Sequence, residues 1–78
     1  MKEINFGEII YFHRKKSGLT QKQLADLAGI GKTVVFDVEK GKKTVRLDSL
    51  MKIFTVLNIK IELNSPLMHL MEKPDEKS

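Results

Sequence analysis

Apolar residues return along this chain at two different spacings, and the change between them divides it. From Phe6 to Leu57 they recur every three or four positions, the period of helices with one buried face. Phe6–Ser17 is predicted as a first helix capped by Asn5, with Phe6, Ile10 and His13 as its core stripe and Ile9 and Phe12 widening it. Thr20–Ala28 follows with an apolar face of Leu24, Ala25, Leu27 and Ala28. Lys32–Lys40 is a third helix carrying Val34, Val35 and Val38. Leu47–Leu57 is a fourth, with Leu47, Leu50, Ile53, Phe54 and Leu57 at helical spacing and Asp48 complementing the dipole of its first turn.

The punctuation between these segments is specific. The Thr20 hydroxyl can take up a free amide of the second helix, and Gln23 stands three residues on, where a capping box requires it. Gly29 lies where the chain must leave that helix with positive φ, which glycine does at least cost. Ser17-Gly18 ends the first helix, Gly41-Lys42-Lys43 forms a basic loop after the third, and Asn58 suits a left-handed cap on the fourth. Two short helices joined by a tight glycine turn are the layout of a helix-turn-helix, which presents its second helix to the major groove of DNA.

After Asn58 the period falls to two. Ile59, Lys60, Ile61, Glu62 and Leu63 alternate apolar and polar, which predicts a strand. No other segment reads as one, so its backbone groups need a partner from another chain. A homodimer with a two-stranded ribbon across a two-fold axis is the simplest solution, with Ile59, Ile61 and Leu63 as dimerisation residues. The division expected is a domain over 1–64 and a flexible tail over 65–78. Within the tail, Leu67, Met68, Leu70 and Met71 form a short apolar island between Pro66 and Pro74, ahead of a charged end expected to be mobile.

Composition narrows the picture. A chain of 78 residues makes one small domain, whose core supplies only about 3–5 kcal/mol unaided. It has no Cys, which removes disulfides and thiolate metal sites, and two isolated His, which makes a structural metal a poor expectation. His13 reads as a packed side chain, and His69 has no companion at metal spacing. Oligomerisation is the remaining stabilising device. No apolar run nears the ~18 residues a membrane span needs, and no leader precedes a cleavage site, so a cytoplasmic setting is expected. Residues 1–60 carry twelve Lys or Arg against six Asp or Glu; residues 61–78 carry two against four. A basic body suits a polyanion, the acidic tail does not. Neither His stands with a Ser and an acid, and no glycine-rich loop could cradle phosphate, so neither enzyme chemistry nor a cofactor is expected.

Thr20-Gln21, Leu24-Ala25, Gly29-Ile30 and Glu39-Lys40-Gly41 together resemble the Xre/Cro-type helix-turn-helix family over roughly residues 5–59. The direct passage from the fourth helix into Ile59–Leu63 is similar to the HipB-like antitoxin branch. The resemblance implies an all-α, lambda-repressor-like fold of four to five helices plus one C-terminal strand pairing across a homodimer. It also implies a sequence-specific repressor of double-stranded DNA that binds an inverted-repeat operator, autoregulates its operon and pairs with a HipA-type kinase toxin.

Carried over by position, the resemblance puts Lys32, Thr33, Val34 and Asp37 at base edges, and Gln21, Lys40, Lys42 and Lys43 at phosphates. Arg14 and Glu39 would form a structural ion pair between the first and third helices. The chain departs from the family at Phe36, where a small polar residue is usual, at Val34, often polar, and at Gly31, which replaces the usual cap. Asp37 would face an electronegative duplex unless it accepts from a cytosine amino group or pairs with a neighbouring Lys. Two alternatives stay open: a stand-alone Xre-type regulator, or a protein-interaction module that has lost sequence reading.

Overall fold

Asn5 opens the first helix as the sequence predicts: its side-chain oxygen accepts from the Glu8 amide at 3.0 Å. The computed structural model describes residues 5–71. Helix α1 spans Phe6–Lys16, α2 Gln21–Ala28, α3 Lys32–Glu39 and α4 Leu47–Leu57, with one 3-10 turn, Met68–Leu70, beyond them. Among the described residues there is no strand.

The caps explain these limits. Thr20 and Gln23 form a reciprocal box: Thr20 Oγ1 accepts from the Gln23 amide at 3.0 Å, while Gln23 Oε1 accepts from the Thr20 amide at 2.8 Å. Gly29 leaves α2 at φ 71°, and Asn58 leaves α4 at φ 62°, both in the left-handed region. The Ile59 amide then donates back to the Phe54 carbonyl at 2.8 Å, turning the chain off the end of α4.

Ile10, Leu24, Val35 and Ile53, one from each helix, are fully buried, and Ala25, Val38, Phe54 and Leu57 complete the core. Leu19, Ile30, Val34, Val45, Leu50, Val56 and Ile59 pack around it. The backbones of α1 and α3 approach closely at Gly7, where an added Cβ would lie 2.5 Å from the Val38 carbonyl oxygen and 2.9 Å from that of Glu39.

Tertiary packing corrects several expectations. The buried face of α1 is Gly7, Ile10 and Arg14, not Phe6, Ile10 and His13. Phe6 stays partly exposed with its ring 5.9 Å from that of Phe54, and half-buried His13 turns its Nδ1 to the Ile9 carbonyl at 2.7 Å. The glycine at position 7 lets α3 approach that side of α1, which rotates the stripe. Leu27 is 63% exposed and Leu47 70% exposed; each falls to the side of the strip its helix buries. Residues 59–65, expected to begin with a strand, form neither helix nor sheet, and among the described residues no second strand stands to pair with them. The charged end expected to be mobile, 72–78, lies outside the described residues.

Candidate nucleic-acid interface

A buried polar clasp sets the relation of α1, α2 and α3. Arg14, 7% exposed, donates from Nε to Glu39 Oε2 at 2.6 Å and from Nη2 to Glu39 Oε1 at 3.0 Å. Its remaining nitrogen, Nη1, donates to the Leu19 carbonyl at 2.9 Å, between α1 and α2. The Gln21 amide adds a third donor to the same carboxylate, reaching Glu39 Oε1 at 3.1 Å. Arg14 of α1 and Gln21, the first residue of α2, thus meet at one carboxylate, that of Glu39, the last residue of α3. Hydrogen bonding to Glu39 raises the Arg14 pKa further above its ordinary value against the opposing effect of burial, so the cation persists at every accessible pH. Among the described residues, no buried side-chain nitrogen or oxygen lacks a partner. A paired ion of this kind orients elements with a directionality that apolar contacts lack.

Held this way, α3 buries Val35 and Val38 and turns Lys32, Thr33, Phe36 and Lys40 outward, with Asp37 half-buried at the margin. Lys32, Thr33 and Phe36 line one shallow depression with Gln21, where α2 and α3 both begin. No side chain caps the start of α3, because its cap residue is Gly31. The positive end of the α3 dipole therefore lies beside Lys32 without a capping oxygen to offset it.

The candidate residues divide into distinct settings. Lys32 and Thr33 are exposed on the outer strip. Val34 is half-buried and packs on the core, so its side chain is not part of that strip. Lys42 Nζ lies 3.5 Å from Asp37 Oδ2, which offsets the charge that Asp37 would bring towards a polyanion. Lys40 Nζ sits 5.4 Å from the centre of the Phe36 ring, and Lys43 stands exposed in the following loop. Gln21 is committed through its side-chain amide to Glu39, leaving its position at the start of α2 rather than that amide as its contribution. At the other end of the chain Ile59 is half-buried on the core, whereas Ile61 and Leu63 are 45% and 74% exposed. Phe36, expected only as a departure from the family pattern, joins the outer strip with Lys32 and Thr33; its place three and four positions after Thr33 and Lys32 was the available signal.

Two short helices joined through Gly29, the second with a cationic and polar outer strip, define a helix-turn-helix protein. The sequence matches the HTH_3 helix-turn-helix family over residues 10–64, and the chain belongs to that family. It is also similar to an uncharacterized HTH-type transcriptional regulator, y4mF, of Sinorhizobium fredii, with 29% identity over 62 residues, 80% of this chain and 82% of that protein. Among the described residues no helix is long and apolar enough to cross a membrane.

Proposed function

We propose that this chain is a DNA-binding transcriptional repressor that reads an inverted repeat as a homodimer. The observation that carries the reading is the outer strip of α3, Lys32, Thr33, Phe36 and Lys40, held outward by the Arg14–Glu39–Gln21 clasp. Lys32 and Thr33, at the start of the recognition helix, face base edges with Asp37 at the margin. Lys40, Lys42 and Lys43 follow the groove wall, where phosphates lie. A dimer supports a second such helix, and the half-site centres then stand about 10 bp, or a multiple, apart. Residues 59–63 supply its ribbon: their backbone has no sheet partner among the described residues, and Ile61 and Leu63 expose apolar surface.

Selection of bound duplexes from a random pool tests this directly. An enriched inverted repeat is expected, with Lys32→Ala altering preferred bases and Lys43→Ala weakening all sequences alike while reducing the salt slope by about 1. Binding without any sequence preference would instead favour the interaction module.

The finer reading, an antitoxin paired with a HipA-type kinase, draws support from Leu67, Leu70 and Met71, each 66–69% exposed around the 3-10 turn. Short Leu and Met islands adapt their shape to a partner's groove. Truncation after Asn64 should leave stability and DNA affinity unchanged and abolish binding of such a toxin. A marked fall in melting temperature would assign the island to self-packing.

A further inference from the structure

Phe36 has no part in the core, yet it is a large apolar ring held 45% exposed among polar neighbours. Its surroundings are ordered for a mixed surface. Gln21, Lys32 and Thr33 share its depression, and the Lys40 ammonium lies 5.4 Å from its ring centre. Asp37, the nearest acidic residue in sequence, is drawn towards Lys42 at 3.5 Å. The ring, rigid beyond its two side-chain torsions, stays out as a flat face flanked by cations.

The major groove of a duplex presents one apolar group at a base edge, the C5-methyl of a pyrimidine, surrounded by acceptors and phosphates. The strip offers the complement: an aromatic face for the methyl, Lys32 and Thr33 for the acceptors beside it, and Lys40 for the backbone. Resting on the DNA-binding reading above, we infer that Phe36 is a specificity-determining residue that reads a pyrimidine C5-methyl, that of thymine or of 5-methylcytosine, in each half-site. This places sequence discrimination on a hydrophobic contact at a position where Lys32 and Thr33 supply only polar ones.

The test uses the full chain and two random duplex pools, one unmodified and one with 5-methyl-dC in place of dC. Enrichment of a fixed thymine in the unmodified pool assigns thymine; enrichment only in the modified pool assigns 5-methylcytosine. The enriched duplex is then made without the methyl, with dU for dT or dC for 5-methyl-dC at single positions. One position in each half-site should lose about fourfold in affinity, the worth of one buried carbon. Phe36→Ala should bind the methylated duplex more weakly and no longer distinguish it from the demethylated one, and Phe36→Leu should retain part of the difference. Circular dichroism of both variants should match the parent, since the ring contributes nothing to the core. Enrichment with no methyl-sensitive position, or equal sensitivity in Phe36→Ala, overturns the assignment to Phe36 alone. Absence of any enriched sequence overturns the DNA-reading function beneath it.

Discussion

Around Arg14 each guanidinium nitrogen finds an acceptor inside the chain, on Glu39 or Leu19, and Gln21 joins them at Glu39, whereas between Leu47 and Met71 several large apolar side chains look outward. Leu47 and Met51, four residues apart, make an exposed apolar strip on α4, and Ile61, Leu63, Leu67, Leu70 and Met71 continue the exposure along the chain after it. The first region is complete in one chain. The second carries apolar surface of the kind that an interface removes from water. A helix-turn-helix must hold its reading helix at a fixed angle before DNA arrives, so its geometry is internal. The homodimer proposed above would draw on the second region, where exposed apolar side chains could be covered by a second copy.

The sharpest way to break this comparison is to remove Arg14. Arg14→Ala leaves Glu39 buried without its main partner and should cost about 3–5 kcal/mol, most of what so small a domain possesses. Urea denaturation measures it, and the Arg14→Met, Glu39→Leu double variant should recover much of the loss. A single variant within about 1 kcal/mol of the parent would show that the clasp does not organise the fold. Gly7→Ala comes next. Alanine favours a helix by about 1 kcal/mol over glycine, yet a Cβ 2.5 Å from a carbonyl oxygen forces α1 and α3 apart. Net destabilisation of about 1–3 kcal/mol is expected, and a stabilised variant would refute the close approach.

The opposite end should respond in the opposite manner. Leu63→Lys, at an exposed site, should leave the stability of the monomer within about 0.5 kcal/mol while weakening self-association and DNA binding together, read by sedimentation and by titration with duplex. Ile61→Pro, which removes a backbone donor, should do the same. If either variant unfolds the chain without changing its association, residues 59–63 belong to the first region rather than to an interface.

The smallest effect sharpens the boundary. Asp48, in the first turn of α4, receives two hydrogen bonds from Arg46 at 3.0 Å each, and these lower its pKa below the ordinary carboxylate value. Because the folded value is the lower one, the contribution of the pair is present at neutral pH and is lost as pH falls through the depressed folded value. Both partners are exposed, so the contribution is small. An NMR titration should place the Asp48 midpoint below that of a free aspartate, and Asp48→Asn should differ from the parent at pH 7 but not under strongly acid conditions.

Much of the reading half was legible in the chain itself. Thr20, Gln23 and Gly29 act through bonds and torsions within a few residues, so their roles follow from local chemistry, and the bounds of α2 and α4 lie within one residue of those expected. The position of Lys32 and Thr33 at the start of α3 was legible for the same reason. Val34 was not, because three valines in five positions fit several rotations of a helix, and only the packing of α3 against the core selects one.

What the sequence alone determined is everything set by short range: four helices, their caps, the glycine turn between α2 and α3, and the basic character of the body. Only the tertiary structure decided which side of each helix is buried. Gly7 shows why: its effect depends on the carbonyls of Val38 and Glu39, more than thirty residues away, which no local pattern reports. The family resemblance had implied the Arg14–Glu39 pair, but the joining of Gln21 to it is decided in the same way, as are the outward ring of Phe36 and the apolar strip left bare on α4. Each arises where helices distant in sequence meet, and steric fit and desolvation act on distance in space.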